Sequence, residues 1–252
     1  MKINKTLIGA VIATLFSASL IAQSHATHWG YTGHEGPENW GNLSTDYSLC
    51  KNGNSQSPIN ISKTVVVSTK GLEEIKFDYK TSASEVINNG HTIQVNIKDG
   101  SNIEIDKILF SLKQVHFHTP SENQIEGKNF PLEAHFVHVS QKGEIAVVAL
   151  MFEDAIENQI IKKIWNKMPH YVGTKVDLTL SAEHINSLLP NNKSYYRFNG
   201  SLTTPPCSEG VRWLVLQNYS SISSAQTKEF LDIFHHGNSR PVQSINARKV
   251  MQ

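Results

Sequence analysis

The chain has 252 residues, of which 39% are hydrophobic and 18% are charged, so it can form one large domain or two small ones with a substantial core. Its 23 basic and 22 acidic residues give a formal net charge of +1, which excludes binding to nucleic acid or to an anionic membrane through bulk charge. Two cysteines exclude a disulfide-dense mini-protein and a Cys-rich zinc finger, whereas 12 histidines leave room for a histidine-dependent site.

Residues 1–26 have the composition of a secretory signal peptide. Lys2 and Lys5 precede an apolar run over 7–22, which is shorter than the roughly 20 residues that a membrane-spanning helix needs. The alternative is an uncleaved membrane anchor, but no cluster of charges follows the run as a stop-transfer signal would. We therefore predict an exported protein, periplasmic or secreted, with a mature domain covering 27–252.

Export would change the net charge of the chain and the expected oxidation state of its two cysteines. The cleavage site is predicted at Ser24-His25-Ala26, with Ala22-Gln23-Ser24 as a second option, and the mature net charge becomes about −1 because two lysines leave with the leader. In an oxidising compartment Cys50 and Cys207 are expected to pair, the alternative being two unpaired buried thiols.

Short β-type runs dominate the mature chain. Residues 93–97 alternate apolar and polar side chains, as a half-buried strand does, and Asp99-Gly100 predicts a turn before the next run at 103–105. Further strands are predicted over 112–118, 132–139, 145–152 and 211–216, with a hairpin turn at 141–143.

Helical periodicity is confined to three segments, namely 155–168 before Pro169, 182–189 before Pro190, and 224–234. Because strands do not alternate regularly with helices, a parallel βαβ fold is disfavoured. No internal repeat and no linker longer than a turn interrupts the chain. The pattern predicts one mostly β domain with a few short helices on its surface.

Three histidines occupy positions that suit a metal site. His116 and His118 are two residues apart in a predicted strand, so their side chains point to the same face. His135 lies in the next predicted strand, on the face of Val137, and completes a set of three nitrogens if the two strands are neighbours. Three histidines leave the fourth tetrahedral position of Zn²⁺ to water, which is the arrangement of a catalytic site.

Polar residues on the same faces could orient these rings. Gln114 precedes His116 by two residues and Glu133 precedes His135 by two, and each could accept the second N–H of a metal-binding ring. His138 has the opposite parity from His135 and is excluded from the set. Spacing alone leaves open that all of these histidines are ordinary strand residues.

Longer stretches around the histidines resemble the active-site signature of the α-class carbonic anhydrases. They are residues 114–122 (QVHFHTPSE) and 133–138 (EAHFVH). Other parts of that family are resembled, in the family's order, by 28–31 (HWGY), 36–40 (GPENW), 56–61 (QSPINI), 88–91 (NNGH), 200–206 (GSLTTPP) and 240–243 (RPVQ). The resemblance covers nearly the whole mature chain and implies a single domain on a large, twisted, mainly antiparallel central β-sheet.

This resemblance implies a lyase that reversibly hydrates carbon dioxide to bicarbonate and a proton, by attack of a zinc-bound hydroxide. His116, His118 and His135 would bind the Zn²⁺. Thr203 would orient the hydroxide by donating its own proton to Glu122. The further roles that the resemblance implies are a bicarbonate contact at Thr204, a CO₂-binding apolar wall of Val137, Val147, Leu202, Val211 and Trp213, a water network through Tyr31 and Asn89, a proton shuttle at His91, and a disulfide between Cys50 and Cys207.

Two other classes of function are weighed against this one. A non-catalytic carbonic-anhydrase-like binding module would lack zinc ligands that are present here. Another zinc hydrolase, such as an esterase, would use the same nucleophile, so weak esterase activity is expected as a side reaction; no Gly-x-Ser-x-Gly motif supports a serine esterase. The expected partner is a small-molecule substrate, with no nucleic acid and no stable membrane insertion after cleavage of the leader, in a monomer or a homodimer.

Overall fold

The computed structural model describes residues 27–69 and 71–252. The predicted signal peptide, 1–26, lies outside the described residues. No helix within the two described ranges is both long enough and apolar enough to cross a membrane.

Strands make up most of the regular structure. They are β1 (Asn60–Ile61), β2 (Val66–Val67), β3 (Lys76–Asp78), β4 (Ala83–Asn88), β5 (Ile93–Ile97), β6 (Asn102–Ile105), β7 (Ile108–His118), β8 (Gln124–Ile125), β9 (Leu132–Ser140), β10 (Ile145–Asp154), β11 (Lys175–Asp177), β12 (Tyr195–Ser201), β13 (Glu209–Leu216), β14 (Ser220–Ile222) and β15 (Val250–Met251). The helices are α1 (Trp40–Leu43), α2 (Leu49–Asn52), α3 (Gln159–Trp165), α4 (Ala182–Asn186) and α5 (Ser224–Phe234), with 3₁₀ turns at Gly33–Glu35 and Thr45–Tyr47.

One large sheet organises the chain. In the described part, thirteen strands form it, along the path β11-β4-β5-β7-β9-β10-β13-β12-β15-β2, with β3, β6 and β14 paired beside that path. β5, β7, β9 and β10 are antiparallel neighbours, whereas β10 pairs with β13 in parallel. The predicted fold class is therefore confirmed.

Each predicted strand has a counterpart, but two long strands were not predicted. β5 and the hairpin between β9 and β10 lie where the alternation and turn signals place them. β4 (ASEVIN) and β12 (YYRFNGS) escaped prediction because both contain residues typical of turns, including an Asn-Gly pair in β12. Their strand conformation depends on pairing with β5 and β13 rather than on local preference.

The sheet separates two apolar clusters. One face packs Val115, Phe117 and Phe136 against helical side chains such as Trp165 and Phe230. The opposite face carries a second cluster that includes Val147, Phe198, Val211 and Trp213. Helices α3, α4 and α5 therefore cover one face, and the other is left for polar and apolar side chains that line a cavity.

A β-bulge changes the phase of β7. Leu112 pairs with His138 but Gln114 pairs with Val137, so Lys113 is an extra residue without a partner opposite it. Leu112 belongs to the helix-covered cluster, and so do the odd-numbered Val115 and Phe117 beyond the bulge. The predicted strand over 112–118 assumed strict alternation, which the extra residue interrupts.

Helix α3 is shorter than the predicted 155–168. The helix begins after Asn158, which caps its N-terminus: Asn158 Oδ1 accepts hydrogen bonds from the backbone N–H groups of Ile160 and Ile161 at 3.0 Å each. Ile156, assigned to the apolar stripe, consequently lies outside the helix and is 76% exposed. α4 likewise ends at Asn186 rather than 189, whereas α5 spans the predicted residues.

A disulfide joins Cys50, in α2, to Cys207, in the loop between β12 and β13. This is the pair that the resemblance implies. The bond closes a loop with a sequence separation of 157, for which lost chain entropy of the unfolded state contributes about 5 kcal/mol at most. It therefore ties the N-terminal segment to the loop that also contains Thr203.

A histidine–tyrosine pair is buried on the helix-covered face. His138 Nε2 accepts the Tyr79 hydroxyl at 2.8 Å, and its Nδ1 lies 3.3 Å from the Ala146 carbonyl oxygen. Burial lowers the pKa of His138 from 6.5 to about 3. Between these pH values the unfolded chain binds a proton that the folded chain does not, so folding stability falls as the pH drops from about 6.5 to about 3.

We predict that His138→Gln, whose side chain can still accept the Tyr79 hydroxyl, makes the protein less sensitive to acid. Between pH 6.5 and 4.5 the wild type should lose about 2 to 3 kcal/mol more unfolding free energy than the variant. Urea titrations at both pH values, in one chelating buffer, measure this difference. His34→Gln, at an exposed position, is the control and should behave as the wild type does; equal losses in the wild type and His138→Gln would contradict the prediction.

Candidate metal centre

The pairing of β7 with β9 brings the three predicted metal-binding histidines together. His116 pairs directly with His135, and His118 pairs with Glu133. The ring centroids of the histidines are 4.7 to 5.1 Å apart. One nitrogen from each ring lies within 4.8 Å of the others, and no second group of this kind was found among the residues that the structure describes.

Each ring has one nitrogen occupied by a protein partner. His116 Nδ1 lies 2.8 Å from Gln114 Oε1, His118 Nδ1 lies 2.7 Å from the Asn238 carbonyl oxygen, and His135 Nε2 lies 2.9 Å from Glu133 Oε1. These oxygens are acceptors, so the protonated nitrogen of each neutral ring faces its partner and the other nitrogen keeps its lone pair.

Burial keeps the three imidazoles neutral. The pKa of His116 and that of His135 are held well below the usual value by loss of hydration, with repulsion from the neighbouring histidines adding to the effect. Loss of hydration also lowers the pKa of His118. A neutral imidazole is the form that binds a metal ion, so the electrostatics favour metal binding at neutral pH.

Glu133 is the most fully bonded of the three ring partners. Its Oε2 accepts the backbone N–H groups of Glu122 and Asn123 at 2.7 and 2.9 Å, and its Oε1 accepts Asn123 Nδ2 at 2.8 Å besides the contact to His135. Burial raises the pKa of Glu133, and the Asn123 hydrogen bonds oppose that rise. These bonds fix the carboxylate and, through it, the orientation of the His135 ring.

The residues present fit a tetrahedral metal ion such as Zn²⁺. His118 Nε2 is buried and has no hydrogen-bond partner among the described residues, although a buried imidazole nitrogen normally has one. Three neutral nitrogens pointing into one space, each ring fixed by an oxygen acceptor behind it, are the donor set that Zn²⁺ takes in catalytic sites.

Glu122 and Thr203 lie beside the three rings. Glu122 Oε1 accepts the Arg240 backbone N–H at 2.9 Å, and its Oε2 lies 3.5 Å from His118 Nε2. Burial raises the pKa of Glu122 well above its usual value, and the Arg240 N–H and the Thr203 side chain oppose the rise. Thr203 is near enough to act on the carboxyl group, although Oε2 is not within hydrogen-bond geometry of any described donor.

The five residues expected to form an apolar wall belong to one cluster. Val147, Val211 and Trp213 are buried in the second apolar cluster, and Val137 and Leu202 pack against it partly buried. Trp213 contacts His135 edge to face, with ring centroids 4.9 Å apart. An apolar surface therefore adjoins the candidate metal site.

A cavity of about 140 Å³ leads away from the histidines. His116, His118, Thr204, His91 and Trp29 are among the residues that line it. The His91 ring stacks on Trp29, with centroids 3.7 Å apart and planes 7° from parallel. Partial burial and the nearby charge of His28 lower the pKa of His91.

Tyr31 and Asn89, the expected water-network residues, also line this cavity. The Tyr31 hydroxyl is buried and has no hydrogen-bond partner within the described ranges, and burial raises its pKa well above the usual value. Asn89 Oδ1 accepts the backbone N–H groups of His91 and Thr92 at 3.0 and 2.9 Å, so this amide shapes the turn that carries His91.

A larger cavity of about 580 Å³ lies elsewhere, lined by Glu73, Lys193 and Tyr195 among others. It shares no lining residue with the smaller cavity. Size alone therefore does not identify the functional site, and the convergent imidazoles do.

Sequence reasoning missed three residues of this site. Asn238 accepts the His118 ring through its backbone carbonyl, Trp29 holds the His91 ring by stacking, and Asn123 holds Glu133. A backbone carbonyl contact has no residue-type signature, so nothing in the sequence could have identified the role of Asn238. Trp29 lies in the HWGY segment that the resemblance includes, which was the one available signal.

Comparisons with known proteins agree with one another. A family model described as eukaryotic-type carbonic anhydrase matches residues 35–252. A carbonic anhydrase of Neisseria gonorrhoeae is 48% identical over 248 residues, which cover 98% of this chain and 96% of that protein. A carbonic anhydrase of Pectobacterium atrosepticum is 42% identical over 98% of this chain and 99% of its own length.

Solved structures give the same result. The α-carbonic anhydrase of Thermovibrio ammonificans, in its complex with the inhibitor sulfanilamide, is 45% identical and superposes with a TM-score of 0.86. The match covers 90% of this chain and 100% of that chain.

Proposed function

The chain belongs to the eukaryotic-type carbonic anhydrase family, and from this premise we propose that it reversibly hydrates carbon dioxide with Zn²⁺ held by His116, His118 and His135. The observation that carries the proposal is the convergence of three neutral imidazole nitrogens beside Thr203 and Glu122. A non-catalytic module of the same fold would have no need for this donor set.

When bound, Zn²⁺ supplies a Lewis acid that lowers the pKa of a coordinated water toward neutrality, behaviour for which carbonic anhydrases are the standard example. Gln114, the Asn238 carbonyl and Glu133 keep the three rings in one tautomer and one orientation. Fixed rings leave the nitrogens ready for the metal without rearrangement, which favours tight binding.

Thr203 and Glu122 orient the nucleophile. Thr203 has one hydroxyl proton, and the ionised form of Glu122 can only accept it. Because its only proton is given to Glu122, the Thr203 oxygen can only accept a hydrogen bond from the nucleophile. This fixes the orientation of the nucleophile. The Arg240 backbone N–H holds the Glu122 carboxylate from its other side.

The apolar wall binds carbon dioxide. Val137, Val147, Leu202, Val211 and Trp213 offer a surface without a strong polar anchor, which suits a small uncharged substrate. Thr204 lines the cavity beside His116 and supplies a hydroxyl for bicarbonate, which has oxygens to accept it. The same site could attack an activated ester, so weak esterase activity accompanies the main reaction.

His91 carries the released proton from the cavity to solvent. Histidine suits this role because its ordinary pKa lies near neutrality, and here partial burial lowers the pKa of His91, which favours release of the proton. Tyr31 and Asn89 line the same cavity as His91, His116 and His118 and would order the water through which the proton moves.

Export of the protein is part of the proposal. The composition of residues 1–26 and the disulfide between Cys50 and Cys207 both support an oxidising destination outside the cytoplasm. We propose a periplasmic or secreted enzyme from which the leader has been removed.

The leader can be tested by N-terminal sequencing. Expressed from its full sequence in a Gram-negative host, the protein should be recovered from the periplasm or medium with a first residue after Ala26, or after Ser24 if the second site is used. Protein that retains Met1 and stays with the membranes would show instead that 1–26 is an uncleaved anchor.

The metal-dependent reaction is tested by stopped-flow hydration of carbon dioxide. Removal of metal with a chelator should abolish activity and added Zn²⁺ should restore it, and His116→Ala should lose both bound zinc and activity. His34→Ala, which removes an exposed histidine, serves as the control and should keep both. Full activity in metal-free protein would contradict the proposed function.

The shuttle is tested with His91→Ala. Turnover at saturating carbon dioxide should fall about tenfold or more in dilute buffer, because proton export loses its acceptor, and added imidazole should restore it. Binding and conversion of carbon dioxide precede proton export, so kcat/KM should change little. If neither buffer nor imidazole affects the variant, His91 is not the shuttle.

A further inference from the structure

Asn238 is a fully buried residue that joins three parts of the site. It follows α5 in the loop that leads to Arg240, and its exposed fraction is 0%. Its backbone carbonyl accepts the His118 ring at 2.7 Å, and its backbone N–H donates to the Thr119 carbonyl at 3.0 Å. The main chain of Asn238 therefore contacts the metal-site end of β7 at both His118 and Thr119.

The Asn238 side chain makes a separate set of contacts. Its Oδ1 accepts the Thr119 backbone N–H at 2.8 Å. Its Nδ2 donates to the Phe117 carbonyl at 2.9 Å and to the His91 carbonyl at 3.0 Å. Both amide hydrogens and the amide oxygen are thus used, and one of them reaches the turn that carries His91.

The neighbouring Thr92 exchanges hydrogen bonds with Phe117, but two other contacts of His91 itself lead away from the ligand strand. Its backbone N–H is bound by Asn89 within the same turn, and its ring stacks on Trp29 of the N-terminal segment. Gly90, just before it, has a φ of +87°, so the turn has a backbone conformation of its own that continues neither neighbouring strand. Within the described residues, Asn238 therefore connects His91 to His118: its side chain donates to the His91 carbonyl, and its own carbonyl accepts the His118 ring N–H.

We propose that the Asn238 side chain is a positioning residue for proton export, which holds the His91 peptide unit at a fixed distance from the ligand strand. This inference rests on the proposed shuttle role of His91. Proton transfer through ordered water depends steeply on the separation of its end points, and a displacement of about 1 Å can cost about a hundredfold in a positioned reaction. A loose His91 turn would slow export without changing how carbon dioxide binds or reacts.

The test is Asn238→Ala, with Gln226→Ala as the matched control. Gln226 is also a buried carboxamide, and it bonds the Asn158 backbone through both its oxygen and its nitrogen, away from the cavity. In dilute buffer Asn238→Ala should lower kcat about tenfold, by a larger factor than it lowers kcat/KM, and imidazole should restore the part of kcat that is lost through proton export. Gln226→Ala should not lower kcat relative to kcat/KM.

Two further measurements separate positioning from general destabilisation. Hydrogen–deuterium exchange of the segment 88–92 should speed up in Asn238→Ala and not in Gln226→Ala, and this readout does not depend on activity. In a His91→Ala background, Asn238→Ala should cause no additional loss of kcat, because the residue acts through His91. If Asn238→Ala does not fold, Asn238→Ser provides the same comparisons.

The outcomes distinguish the two proposals. Equal losses of kcat and kcat/KM without rescue by imidazole, or a full additional loss in the His91→Ala background, would overturn the role of Asn238. Failure of imidazole to rescue His91→Ala would overturn the shuttle role of His91, and failure of the wild type to hydrate carbon dioxide would overturn the proposed function itself.

Discussion

The site depends on the register in which β7 pairs with β9. That register sets His116 opposite His135 and His118 opposite Glu133, so all three proposed ligands and the hydrogen-bond partner of His135 meet across one pair of strands. A slip of β9 by one residue would turn His135 and Glu133 to the helix-covered face, where the apolar core lies. Sheet pairing, rather than any loop, therefore determines where the metal-binding nitrogens converge.

The second determinant is the set of oxygens behind the rings. Gln114 and Glu133 come from the same strands as the ligands they orient, whereas the Asn238 carbonyl comes from a distant loop after α5. Removing water from the rings makes them neutral, and the fixed acceptors decide which nitrogen keeps its lone pair. The metal site is thus prepared by burial and hydrogen bonding acting together.

Strand parity was enough to place His116, His118 and His135 on one side of neighbouring strands, and family resemblance supplied roles for His91, Glu122 and Thr203. What could not be predicted is tertiary in origin. β12 contains turn-type residues and is a strand because β13 pairs with it. The contact of Asn238 with His91 joins residues 147 positions apart and involves a backbone carbonyl, which leaves no local pattern.

The bulge at Lys113 changes which residues of β7 face the core. The two halves of β7 are out of phase, with Leu112 buried on one side of the extra residue and Phe117 on the other. Without the extra residue, strict alternation would turn Leu112 to the face that carries His116 and His118. The inserted residue therefore lets one continuous strand supply apolar side chains to the core along its whole length and still present both histidines to the opposite face at its end.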